Sequence, residues 1–159
     1  GSQLYSPLQL ANYIATLVSG GKHCQAHLLK AAKAYDNSEV IAVGNTEPVN
    51  EIDISDEYLQ AVKEGMKGLV EGTLSPYFRN CVVSAGAKTG TSQVKADTKN
   101  HGVFVCFAPY DDPQIAVAIA IERADAGAAL ASTAVNILNA YFTPDEDITG
   151  VTGENQLLP

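Results

Sequence analysis

Lys88-Thr89-Gly90-Thr91 groups an ammonium, two hydroxyls and a residue without a side chain within four positions. On a strand edge, backbone N–H and C=O groups can pair with an extended peptide, and Gly90 lets that peptide come close. The hydroxyls of Thr89 and Thr91 can donate to a terminal carboxylate, and Lys88 adds positive charge where such an anion would lie. Two other stretches carry spacings that suit acyl transfer: Ser19-Gly20-Gly21-Lys22 has serine three residues before lysine, and Tyr35-Asp36-Asn37 has a Tyr-x-Asn form. A serine of that kind needs a lysine one helical turn away on the same face. Ser19 stands where a helix should stop, because Gly20-Gly21 break it, and its spacing to Lys22 is read as a coincidence.

The elements that must position Lys88 can be read from periodicity. Ser6 and Gln9 form a Ser-x-x-Gln capping box, Pro7 suits the first helical position, and Leu10, Ile14 and Leu17 recur on one face. A short extended stretch at 27–34 and a polar connection from Asp36 to Asp53 follow, with a further strand expected at Val40 to Val43. Ser55 should cap a second helix with Asp56 and Glu57 in its first turn, a stripe of Leu59, Val62, Met66 and Leu69, and an end near Gly72. Gly65 and Gly68 inside it each cost about 1 kcal/mol relative to alanine, so a closely packed neighbour is expected there.

From Val82 the pattern becomes strand-like. Strands are expected near Val82 to Val94, Gly102 to Ala108 and Gln114 to Glu122, the last two apolar on both faces and joined as an antiparallel hairpin by Pro109-Tyr110-Asp111-Asp112-Pro113. A closing helix from about Ala128 to Phe142, with Leu130, Ala134, Ile137, Leu138 and Tyr141 inward, should cover one face of the hairpin. The fold class expected is α/β of the α+β kind, an antiparallel sheet flanked by helices. Residues 1–142 form the globular part and 143–159 a polar tail.

Composition limits what such a chain can do. With 159 residues, 46% of them hydrophobic, it can enclose one core, and a formal charge of −8 argues against nucleic acid as a partner. The acidic run from Glu47 to Glu57 reads as a solvated connection. Three cysteines, Cys24, Cys81 and Cys106, are too few and too widely spaced for a disulfide framework or a zinc site, and are expected to be buried small residues. His23, His27 and His101 have no partner at metal-ligand spacing. Tyr77-Phe78 and Tyr141-Phe142 are expected to anchor packing. No apolar run approaches the ~20 residues of a spanning helix.

The Lys-Thr-Gly triplet is also one of the three motifs of the serine penicillin-recognising enzymes. Ser6-Pro7-Leu8-Gln9-Leu10-Ala11-Asn12-Tyr13-Ile14-Ala15 with Gly20-Gly21, then Glu64-Gly65-Met66 with Val70, Gly72 and Thr73, then His101-Gly102-Val103-Phe104 with Ala108-Pro109-Tyr110, resemble successive segments of class B penicillin-binding proteins. The order of four segments from Tyr5 to Phe142 is more specific than any one of them. The chain departs from the family pattern in having Ala87 between Gly86 and Lys88, and only Gly127 where a Gly-rich stretch is common.

The resemblance implies the C-terminal part of a β-lactamase/transpeptidase-like fold and a peptidoglycan D,D-transpeptidase working through an acyl-serine, inhibited by β-lactams and needing no metal or cofactor. It implies catalytic roles for Lys88 and Thr91, the backbone N–H of Thr91 being one oxyanion donor, and substrate binding by Thr89, Gly90 and Thr91. It implies a D-alanyl-D-alanine stem peptide and β-lactams as ligands, and the extracytoplasmic face of the bacterial membrane as the parent's location. The Ser-x-x-Lys and Ser-x-Asn motifs lie N-terminal to Lys-Thr-Gly in the family. The resemblance also implies a helical subdomain between them, for which the short gap from Ser19 to Tyr35-Asp36-Asn37, a Tyr-x-Asn form seen in some β-lactamases, leaves no room, so both stretches are read as coincidences. This chain is thus expected to be a fragment or processed product, soluble, inactive alone, and prone to self-association where the missing half would dock. A different class of function, a non-catalytic penicillin-binding-like module for β-lactam sensing or protein contacts, would use the same strand.

Overall fold

The computed structural model describes residues 4–93, 99–124 and 126–143. Helix α1 (Pro7–Val18) starts as its sequence dictates: Gln9 N–H donates to Ser6 Oγ at 3.3 Å, and Ser6 N–H donates to Gln9 Oε1 at 2.8 Å. It stops at Gly20 and Gly21, whose φ angles of +77° and +91° suit glycine alone. Four short strands follow: β1 (Lys22–Cys24), β2 (Ala31–Lys33), β3 (Val40–Val43) and β4 (Pro48–Glu51). Antiparallel pairing of β2 with β3 is nested inside that of β1 with β4. Of these, β3 matches its expected span and β2 occupies only part of 27–34. The acidic connection is exposed as expected, yet it contains β4, because pairing with β1 satisfies backbone groups whatever the side chains carry.

Helix α2 (Asp56–Glu71) begins after an extended Ser55, as anticipated, although the Ser55 hydroxyl makes no capping bond. Leu59, Met66 and Val70 are buried on its inner face while Val62 is exposed. A Cβ added at Gly65 or Gly68 would meet nothing within 4 Å, so the close neighbour expected beside them is not among the described residues. The short helix α3 (Ser75–Phe78) then buries Phe78.

The chain's largest sheet consists of β5 (Gly86–Ser92), β6 (His101–Ala108) and β7 (Ile115–Ile121), antiparallel in that order. The first strand begins later than Val82, and Val94 lies outside the described residues. Helices cover both faces of the sheet, as its apolar alternation requires. On one face Phe104, Cys106, Ala108 and Val117 meet Leu74, Phe78 and helix α4 (Ala131–Phe142). On the other, Val105 and Phe107 meet Ile14 of α1, Met66 of α2 and Tyr110.

The closing helix keeps part of its expected inner side: Leu130, Ala134 and Leu138 are buried as anticipated. A 3-10 turn, Gly127–Leu130, precedes α4, and Ala131 and Val135 complete the covered face. Ile137 and Tyr141 consequently face outward, and Tyr141 packs edge-on against Phe142 instead of anchoring the core. Of the cysteines only Cys106 is buried, whereas Cys24 and Cys81 are half-buried; all three are free thiols.

Candidate functional site

Strand β5 is rooted in the core and leaves it at Lys88. Ala85 and Ala87 are buried among the residues under α4, and a side chain at Gly86 would run into the Phe107 ring and lie 3.2 Å from Met66 Cβ. Ala87, a departure from the family pattern, is thus a packing residue in an unbroken strand. Register with β6 sets Lys88 opposite Val105, Thr89 opposite Phe104, Gly90 opposite Val103 and Thr91 opposite Gly102. Partners across a sheet share a face, so Lys88 and Gly90 point to the α1 and α2 side and Thr89 and Thr91 to the α4 side. Within the described sheet the other edge of β5 has no partner strand. Its outward backbone groups are available to an extended ligand.

Lys88 is exposed and its ammonium donates to the Thr89 carbonyl. Among the described residues it has no ion pair, the one salt bridge there joining Lys67 to Glu71 on α2. Lys88 borders a groove of about 370 Å³ between α1 and α2, walled by Ile14, Leu17, Val62, Gly65 and Met66. Gly90, Thr91 and Ser92 open on another cavity, of about 580 Å³, with His101 at its side. Each cavity thus receives one end of the four-residue motif.

Gly90 repays inspection. A Cβ there would meet Val103 Cβ at 3.4 Å, an ordinary contact, so the sheet itself does not demand glycine at this position. Gly127 is the opposite case: a side chain would strike the Val103 carbonyl and the Gly90 backbone, with Gly90 N at 2.9 Å. Only a glycine lets the 3-10 turn lie flat on the middle of β5. Sequence reasoning noted Gly127 as the remnant of a Gly-rich stretch and assigned it no task.

The two imitation motifs hold structural positions. Ser19 caps the end of α1, its hydroxyl donating to the carbonyls of Thr16 and Lys22 at 3.1 and 3.0 Å, and Lys22 lies on β1 beyond a glycine turn. Tyr35 is fully exposed and Asn37 adopts a φ of +58° in the turn between β2 and β3. The histidines are occupied by hydrogen bonds: His23 with Asn12 and Asn50, His27 with the Asn45 carbonyl, His101 with the Arg123 N–H. Among the described residues no three His, Cys, Asp or Glu side chains are placed to hold a metal ion. No described helix is long and apolar enough to cross a membrane.

Comparison with known proteins decides the family. Residues 1–142 match the model of the penicillin binding protein transpeptidase domain. The chain belongs to that family. Relatives of this penicillin-binding protein chain include the peptidoglycan D,D-transpeptidase MrdA of Escherichia coli K12, 31% identical over 94% of this chain and 26% of the relative. Pseudomonas aeruginosa PBP2, solved in complex with WCK 5153, superimposes with a TM-score of 0.73 at 28% identity, over 92% of this chain and 32% of that one. Penicillin-binding protein A of Mycobacterium tuberculosis, solved as a ceftriaxone acyl-enzyme complex, gives a TM-score of 0.73 at 25% identity, covering 86% and 32%. The chain thus spans about a quarter to a third of these relatives, and its sheet and helices are those of penicillin-binding transpeptidase domains.

Proposed function

We propose that this chain forms the carboxylate-binding and oxyanion side of a peptidoglycan D,D-transpeptidase site, with the nucleophilic serine carried on polypeptide outside these residues. The observation that carries the reading is the unpaired β5 edge with an ammonium free of any ion pair among the described residues. A stem peptide ending in D-alanyl-D-alanine would lie along the open edge of β5, its carboxylate taken by the Thr89 and Thr91 hydroxyls, with the Lys88 ammonium adding positive charge from the other face of the strand. Gly90, glycine without an internal reason, leaves room for that peptide. The Thr91 N–H would donate to the oxyanion formed when the serine adds to the penultimate carbonyl; collapse expels D-alanine and leaves the acyl-serine that an amine then resolves.

The groove between α1 and α2 fits the same reading. Its apolar walls, the exposed Val62 and the open flank at Gly65 and Gly68 suit a helix docking beside Lys88, and a serine at the start of such a helix would stand next to the ammonium. Exposed Leu8 and Val62 would otherwise drive self-association of the chain by itself. The relatives are bacterial cell-wall enzymes, and the extracytoplasmic membrane face is the location proposed for the parent. β-Lactams, which mimic the peptide's carboxylate, should bind the same strand.

Two measurements test this. Fluorescent penicillin should leave no covalent label on the chain alone, and a stoichiometric adduct on Ser19 would overturn the assignment of the serine. In NMR titration, an N-acylated D-alanyl-D-alanine peptide should shift the amides of residues 88–92, and Lys88→Ala should weaken that response about tenfold or more without moving the folding midpoint. Undiminished binding by K88A would remove Lys88 from the site.

A further inference from the structure

Beside α1 and the paired strands β1 and β4 lies an open pocket of about 550 Å³. That volume is within the roughly 300–1,000 Å³ of ligand pockets. Leu10, Tyr13 and Ile52 give it apolar walls, and Asn12, His23 and Asn50 give it polar ones. No lining residue carries a carboxylate, an ammonium or a guanidinium, in a chain where 18% of residues do. A charged ligand would lose hydration there without gaining a counter-ion.

The polar wall is a hydrogen-bonded row of three side chains. Asn12 Nδ2 lies 3.1 Å from His23 Nε2, and His23 Nδ1 lies 3.2 Å from Asn50 Oδ1. Asn12 and Asn50 thus flank the His23 ring, and each amide keeps donor and acceptor capacity beyond its bond to the ring. Paired amide donors and acceptors are the complement of a secondary amide. Beside them the exposed Tyr13 ring offers a flat amphipathic surface of the kind that packs against the C–H face of a sugar ring.

We propose that this pocket binds the acetamido sugar of a neutral glycan. For the glycan's origin the inference rests on the transpeptidase reading: Tyr5 and Leu10 wall both this pocket and the cavity at Gly90, Thr91 and Ser92, so one ligand could lay peptide on β5 and its sugar chain against α1. Binding of the sugar itself depends only on the pocket.

The test is NMR titration of the whole chain with tri-N-acetylchitotriose and, separately, with cellotriose, which has hydroxyls where the former has acetamido groups. The acetylated sugar should give saturable shifts centred on residues 9–16, 23 and 50–52 and bind about tenfold or more tighter than cellotriose. Asn50→Leu, on an exposed strand, should weaken it at least fivefold, and Tyr13→Phe, which keeps the ring, should preserve it. Equal affinity for both sugars, shifts located elsewhere, no saturation, or an unaffected N50L variant would each overturn the proposal. None of these results bears on D-alanyl-D-alanine binding at β5, so the two readings fail separately.

Discussion

Two regions of this chain are made of similar residues and end in opposite situations. The nested hairpins of the first third use Val40-Ile41-Ala42-Val43 on β3, and the main sheet uses Val103-Phe104-Val105-Cys106-Phe107 on β6. On β3 every residue is exposed, Ile41 at 66%, whereas Phe104, Cys106 and Phe107 are fully buried. The difference is cover. β6 has a strand on each side, α4 over one face and α1 with α2 over the other, while β2 and β3 pack mainly on each other. Apolar composition makes a strand; a second layer makes it contribute to stability.

The sharpest way to break this contrast is Phe104→Ala. Phe104 is fully buried between β5, β7 and the α4 layer, and truncation should cost about 3–5 kcal/mol, read as a drop in the urea midpoint. A loss below about 1 kcal/mol would mean that the main sheet is no better packed than the hairpins.

Cys106 gives a pH-dependent version of the same test. Burial, with a smaller contribution from nearby Cys81, pushes its thiol up to about 12 from an ordinary 9.0. The folded protein then holds a proton that the unfolded chain releases above pH 9. Stability from this group is therefore intact at neutral pH and is lost as pH rises from about 9 toward 12, by roughly 1.4 kcal/mol per pH unit. Comparing wild type with Cys106→Ala between pH 8 and about 10.5 isolates it: the variant's stability should fall less steeply with pH, and parallel curves would show a solvated thiol.

How much of this could be read in the sequence follows the same division. The capping box at Ser6 and Gln9, helix α2 with Leu59 and Met66 inward, the two-faced β6 and β7 and the Lys88 strand appear as expected, because each is specified by local pattern, whereas Val62 of the expected α2 stripe is exposed. β1 and β4 were not legible, since Lys22-His23-Cys24 and Pro48-Val49-Asn50-Glu51 carry no alternation and exist through pairing across a long connection. In the closing helix Leu130, Ala134 and Leu138 were legible as inward positions and Ile137 and Tyr141 were not, since the covered face runs through Ala131 and Val135 instead. At the site, residue types announced Lys88 to Thr91. The task of Gly127 emerges only when the turn after β7 is seen lying on Gly90.

Gly65 and Gly68 carry the comparison into α2, whose inner face resembles the sheet region and whose outer flank resembles the hairpins. With nothing within 4 Å of an added Cβ, Gly65→Ala and Gly68→Ala should each stabilise this chain by about 0.5–1 kcal/mol through helix propensity. If a helix from the rest of a transpeptidase docks on that flank, the same substitutions in a full-length protein should lower acylation by penicillin. Stabilisation in both settings would leave the glycines without a reason.

The smallest effect should come from Ile41→Ser. In a covered strand this exchange would remove a buried side chain and leave a hydroxyl in its place, at a cost of several kcal/mol. On β3 the side chain already faces water, so the urea midpoint should correspond to a change within about 0.5 kcal/mol. Solubility should move more than stability, because an exposed apolar strand edge is a template for another chain, and a polar residue blunts it. If I41S costs more than about 1 kcal/mol, something covers β3 in solution, and the hairpins join the sheet as core.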